Sequence, residues 1–160
     1  MARLHVPTRL RWSDLDAYGH VNNVEILRLL EEARVQALWI ADDASERDGS
    51  PTTAVIDSTL GTDTLSIVAR TEIEYLKTID YRRSALDIQL WISRLGGADF
   101  DVAYEIYSPA GAEPVELYAR AMTTIALVDG TTMRPRRISP VEKAAWLPYL
   151  DDPVVFTRRR

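Results

Sequence analysis

The chain has 160 residues, 46% of them hydrophobic and 27% charged, with a formal net charge of −5 and no cysteine. That size and balance fit a single domain over 1–160 with enough apolar content to bury a core. The acidic balance argues against a nucleic-acid partner, and the lack of cysteine excludes disulfides, thiol catalysis and zinc–thiolate sites. No apolar run reaches membrane-spanning length or forms a signal peptide, so no membrane partner and a cytoplasmic location are expected.

In chain order, residues 4–12 place Leu4, Val6, Leu10 and Trp12 at even positions. That alternation predicts a strand, and Pro7 makes it an edge strand. Residues 13–21 read as a loop. Asn22 is the expected N-cap of a helix, with Glu25 as its capping-box partner. The helix is predicted from Asn23 to Ala41. Val24, Ile26, Leu27, Leu30, Ala33, Ala37, Leu38 and Ile40 cover more than half its circumference, which predicts a helix wrapped by other structure. Residues 42–64 are rich in Asp, Ser, Thr and Gly and read as a long loop, with one short strand at Thr53–Ile56.

From Leu65 the period changes to two. Strands are predicted over 65–75, 86–92, 100–106 and 115–127, with turns at Gly96-Gly97 and Ser108-Pro109-Ala110-Gly111. These strands read as an antiparallel meander with one buried face. Ser139 and Pro140 then open a short helix over about 139–147. The basic tail 157–160 reads as a solvated end. A long one-faced sheet must be covered, and the helix at 23–41 is the only element able to do it. The expected architecture is α+β, one sheet curled around one central helix.

The densest polar chemistry is Asp14-Leu-Asp16-Ala-Tyr18-Gly19-His20-Val21-Asn22-Asn23, immediately before the helix. A helix N-terminus has unpaired N–H groups and a partial positive charge, which can polarise a carbonyl. A carboxylate beside it can attack that carbonyl or activate a water. If Asn22 is the cap, the N–H groups of Asn23 and Val24 are early orphans.

This string and the architecture resemble the hotdog-fold acyl-CoA thioesterases, and most closely the 4-hydroxybenzoyl-CoA thioesterase-like branch. Supporting residues are Glu31-Glu32-Ala33-Arg34, Ile73-Glu74-Tyr75 and Met133-Arg134-Pro135-Arg136, so the resemblance spans nearly the whole chain. It implies an acyl-CoA substrate, or the same acyl group on an acyl-carrier protein, hydrolysed without metal or redox cofactor. It implies Asp16 as the catalytic carboxylate and the Asn23 N–H as carbonyl polariser. It also implies a homodimer or homotetramer with sites at the subunit boundary, in keeping with the sheet edges a single copy leaves exposed. Two positions depart from the family pattern. The turn Ile79-Asp80-Tyr81-Arg82-Arg83 lacks the proline often found there, and the 42–64 connection is long.

Each residue also has a plainer reading. Asp14 reads as a turn former. His20 reads either as packing or as a group that orients Asp16 or a water. With only two histidines in the chain, a metal site is not expected. Gly19 supplies a turn or a close backbone approach to the thioester, and Asn22 is a cap before it is a substrate contact. Tyr18, Val21 and Trp12 border the motif and line a pocket or join the core. Glu31 and Arg34 are catalytic candidates in principle, but at i and i+3 on a helix they suit a pair with each other or across a dimer. Arg82 and Arg83 read as a solvated turn or, because guanidinium binds phosphate bidentately, as a clamp for the CoA phosphates. Arg136 and Arg137 are the next candidates for that clamp. Two other functions share these features: a hotdog hydratase or dehydratase, and a non-catalytic acyl-CoA-binding module.

Overall fold

The computed structural model describes residues 2–57 and 62–157. The tail arginines 158–160 and part of the 42–64 connection lie outside the described residues. Five strands, β1 (Leu4–Thr8), β2 (Thr64–Tyr75), β3 (Leu86–Leu95), β4 (Asp99–Tyr107) and β5 (Leu117–Asp129), form one antiparallel sheet. Helix α1 (Asn23–Leu38) packs on its inner face, and two short helices, α2 (Ala44–Arg47) and α3 (Pro140–Trp146), follow α1 and β5 in the chain. This is the α+β hotdog arrangement expected from the sequence.

The strand order is β1-β3-β4-β5-β2. Only β3, β4 and β5 form the expected meander. β2 does not pair with the strand that follows it; it lies at the far edge against β5, with Thr64 opposite Asp129 and Tyr75 opposite Ala119. Residues 76–85 therefore carry the chain across the sheet instead of closing a hairpin. Near its middle β2 shifts register between Val68 and Arg70. The bulge interrupts the uninterrupted alternation read from the sequence.

β1 is an edge strand as expected, but it ends at Thr8, not residue 12. The buried Asp14 carboxylate accepts the Arg11 N–H at 2.7 Å and its guanidinium at 2.8 and 3.1 Å. That closes a short turn over Trp12–Asp14 and leaves Trp12 in solvent.

Helix α1 begins where Asn22 predicts. Asn22 is extended (φ −62°, ψ 137°) and its side chain accepts the Val24 N–H at 3.0 Å, a cap worth about 1 kcal/mol. The capping box is not formed. The Glu25 carboxylate instead faces Arg11 and Arg28, each at 3.4 Å. The helix stops at Leu38, short of Ala41, because Trp39 turns extended and bridges Ile56. The Leu38 carbonyl accepts N–H groups from Val55 and Ile56, and Ile40 N–H donates to Ile56. The predicted strand at 53–56 survives as that single bridge. Ile26, Leu29, Leu30, Ala33, Ala37 and Leu38 face the core, together with Phe100, Tyr104, Ile88, Leu90 and Leu127. Val24 and Leu27, read as buried, are 60% and 40% exposed and look toward the uncovered edge of β2.

Ser139 caps α3 with a complete capping box to Glu142. The helix seats Trp146 against Phe100, ring centroids 4.5 Å apart. Gly96 is obligatory in the β3–β4 turn, since a Cβ there would run into the Asp99 side chain and backbone. Beyond α3 the chain becomes a strap. Leu150 bridges Ile92 on β3 and the Trp91 indole donates to the Asp152 carbonyl. Arg120 on β5 then donates to the Val155 carbonyl, and Thr157 N–H reaches Glu74 on β2.

Candidate active site

Residues 16–20 fold into a tight loop because Asp16 ties it from both sides. Its Oδ1 accepts the N–H groups of Tyr18 at 2.8 Å and His20 at 3.2 Å. Its own N–H donates to the His20 carbonyl, and its carbonyl accepts the Gly19 N–H. Gly19 sits at φ +77°, the left-handed region that a side chain would strain. One carboxylate oxygen thus anchors the loop and the other, Oδ2, has no hydrogen-bond partner among the described residues.

Two further contacts fix the loop in the fold. Asn22 N–H donates to the Asp14 carbonyl and Val21 N–H to the Ile79 carbonyl, both at 2.8 Å. The His20 and Asp80 backbones bridge, and His20 Nε2 lies 3.5 Å from Asp80 Oδ1. Asp80, absent from the sequence reading as a site residue, is thereby the carboxylate that faces the His20 ring.

The loop, the helix start and the end of β2 enclose a cavity of about 480 Å³. Its lining includes Asp16, Tyr18, His20, Val21 and Asn23, all anticipated from the motif, together with Ile26, Tyr75, Lys77 and Ile79, which were not. Gly19 and Asn22 shape this wall through the loop and the cap. The Asn23 N–H, in the first turn of α1, donates to no group among the described residues. Tyr75 ends a strand remote in sequence and Lys77 follows just beyond it; the Ile73-Glu74-Tyr75 string contained only the first of them. Lys77 pairs with Glu116 at 2.9 Å and holds that carboxyl below its ordinary range. Burial pushes the Tyr75 hydroxyl up.

Other candidates fall elsewhere. Trp12 and Tyr18 are 74% and 85% exposed, so neither joins the core; Trp12 instead meets Tyr81 edge-on at 5.2 Å. Arg82 and Arg83 follow Asp80 in the same turn but do not line the cavity. Arg82 is half-buried over the Tyr118 ring, 5.7 Å from its centre, and its Nε has no partner among the described residues. Arg136 is committed to Glu142, with both terminal nitrogens bonded to the carboxylate at 2.7 and 2.8 Å. A larger cavity, about 740 Å³, lies at the other end of α1 between Val35–Asp42 and Glu46–Pro51. Its lining holds none of the motif residues 14–23, so the smaller cavity is the candidate site. Among the described residues no three His, Asp or Glu side chains converge as a metal site, and no helix is long and apolar enough to cross a membrane.

This fold, with a carboxylate loop at the start of its central helix, is the one that the thioesterases share, and the family match makes the chain a thioester hydrolase. Residues 10–147 match the thioesterase-like superfamily, and the chain belongs to it. Among solved structures it is similar to the PA5185 protein from Pseudomonas aeruginosa, with TM-score 0.72 and 21% identity over 96% of this chain and 94% of that one. It is also similar to a DHNA-CoA thioesterase from Staphylococcus aureus, with TM-score 0.70 and 17% identity over 92% and 91% of the two chains. A 1,4-dihydroxy-2-naphthoyl-CoA thioesterase from Synechocystis aligns with TM-score 0.67 and 16% identity over 91% and 96%. No curated protein sequence matches the chain.

Proposed function

We propose that this hydrolase cleaves acyl-CoA thioesters, with the whole chain acting as one hotdog domain. The observation that carries the proposal is that Asp16 and Asn23, whose N–H has no partner among the described residues, line the same cavity. The thioester carbonyl oxygen accepts the Asn23 N–H, supported by the positive end of α1. Asp16 either attacks the carbonyl carbon, giving a mixed anhydride that water then opens, or removes a proton from an attacking water. Both routes form a C–O bond and break the C–S bond. The electron pair leaves on sulfur as CoA thiolate, and the water proton ends on the products. His20, held beside Asp80, orients Asp16 or the water, while Tyr18, Gly19 and Val21 border the thioester.

The test is release of free CoA thiol over a panel of acyl-CoA chain lengths. Binding without release would make the chain an acyl-binding module. Reaction on the acyl carbons with the thioester intact would make it a hydratase or dehydratase. The same assay tests the phosphate clamp. Replacing Arg82 and Arg83 with Ala is expected to raise KM for acyl-CoA with kcat nearly intact, because remote phosphate contacts act mostly as uniform binding. A short thioester without the nucleotide should be hydrolysed equally by both forms. Loss of kcat on both substrates would assign these arginines to structure.

The active form is proposed to be a homodimer, alone or within a tetramer. Among the described residues β2 has one unpaired edge, and Leu65, Ile67 and Val68 on this strand are 42%, 39% and 46% exposed, as Val24 and Leu27 of α1 are open. Such an edge is a template for a second strand, and a second copy of β2 would cover both the edge and the apolar residues. Sedimentation that finds only monomer at assay concentrations would reject this assembly.

A further inference from the structure

Tyr75 has had no part in the chemistry so far. It closes β2, and its hydroxyl donates to the Asn23 carbonyl at 3.3 Å. Among the described residues this is the only hydrogen bond from β2 to α1. The other end of the same peptide unit is held too, since the Val24 N–H donates to Asn22 Oδ1. A peptide unit is planar, so fixing its carbonyl and its N–H fixes its plane. The preceding unit contains the free Asn23 N–H, and its carbonyl, that of Asn22, accepts the Ile26 N–H at 3.0 Å. The two units meet at the Asn23 Cα. The direction of the free N–H is therefore set by these bonds together with the helical bonds inside α1, and Tyr75 supplies the one that comes from the sheet.

We propose that Tyr75 is a positioning residue that ties the first turn of α1 to β2 and so aims the Asn23 N–H at the thioester carbonyl. This rests on the reading of the Asn23 N–H as the carbonyl polariser. The contribution is modest, because the bond is long and Tyr75 is 45% exposed.

Tyr75→Phe keeps the ring and removes the hydroxyl. It is expected to lower kcat roughly tenfold, equivalent to about 1.4 kcal/mol of transition-state stabilisation, with KM and melting temperature nearly unchanged. The decisive measurement repeats it in an Asn23→Pro background, where the N–H is gone. There the hydroxyl has nothing left to aim, and Tyr75→Phe should cause no further loss, the non-additivity of groups that act as a unit. An equal loss in both backgrounds would show that Tyr75 acts elsewhere and overturn the proposal. An unchanged kcat in Tyr75→Phe beside a disabled Asn23→Pro would overturn it while leaving the polariser in place. A fully active Asn23→Pro would remove the polariser reading itself, and the role of Tyr75 with it.

Discussion

Asp16→Asn is expected to abolish most thiol release, lowering kcat by roughly a hundredfold or more, as loss of a general base or nucleophile does. The argument rests on how the two oxygens divide their work. Oδ1 receives the N–H groups of Tyr18 and His20 and so holds the loop. An asparagine Oδ1 still accepts both bonds, without the assistance of the charge. The loop, the left-handed Gly19 and the bridge from His20 to Asp80 should all persist, and the melting temperature should barely move. What disappears is the negative charge and the nucleophilic second oxygen. The measurement is kcat on the best acyl-CoA of the panel, with thermal unfolding alongside. A variant that turns over at the wild-type rate removes Asp16 from the chemistry.

Asn23→Pro should be nearly as damaging and for a separate reason. Asn23 is the first residue of α1, the helical position that tolerates proline because its N–H has no helical acceptor. The residue before a proline must be extended, and Asn22 already is, at ψ 137°. The substitution therefore deletes one N–H with little disturbance of the helix. Loss of an oxyanion donor lowers kcat by roughly a hundredfold to a thousandfold. Asn23→Ala, which keeps the N–H, should retain most activity. If Pro and Ala behave alike, the backbone donor is not used.

The parts of this molecule legible in sequence are those set by neighbours along the chain. Asn22 marks the helix start because its side chain reaches only to Val24. The 16–20 loop is readable because Asp16 and Gly19 close it locally. The alternation in β3, β4 and β5 is readable because each strand has a truly buried face. The misreadings arise where distant partners decide. Trp12 kept the strand period but Asp14 and Arg11 turned the chain away. Leu38 ended the helix because Val55 and Ile56 offered its carbonyl a better use. β2 looked like a meander strand, since its composition is the same at an edge as in the middle. Its pairing with β5 is what brings Tyr75 and Lys77 to the site, so no local pattern could have placed them there.

The strap formed by residues 150–157 has a mechanical meaning. A sheet comes apart by sliding or splaying one strand from the next, and each ladder resists only for its own pair. β3 and β2 share no ladder, yet the strap is fastened to β3 through Ile92 and Trp91 and to β2 through Glu74, with Arg120 of β5 gripping it between. A pull on β2 is therefore borne along two routes, the ladders through β5 and β4 and the covalent chain laid across them. Splaying any strand between them must lift that crossbar as well, so the sheet is braced across its strands as well as stitched along them.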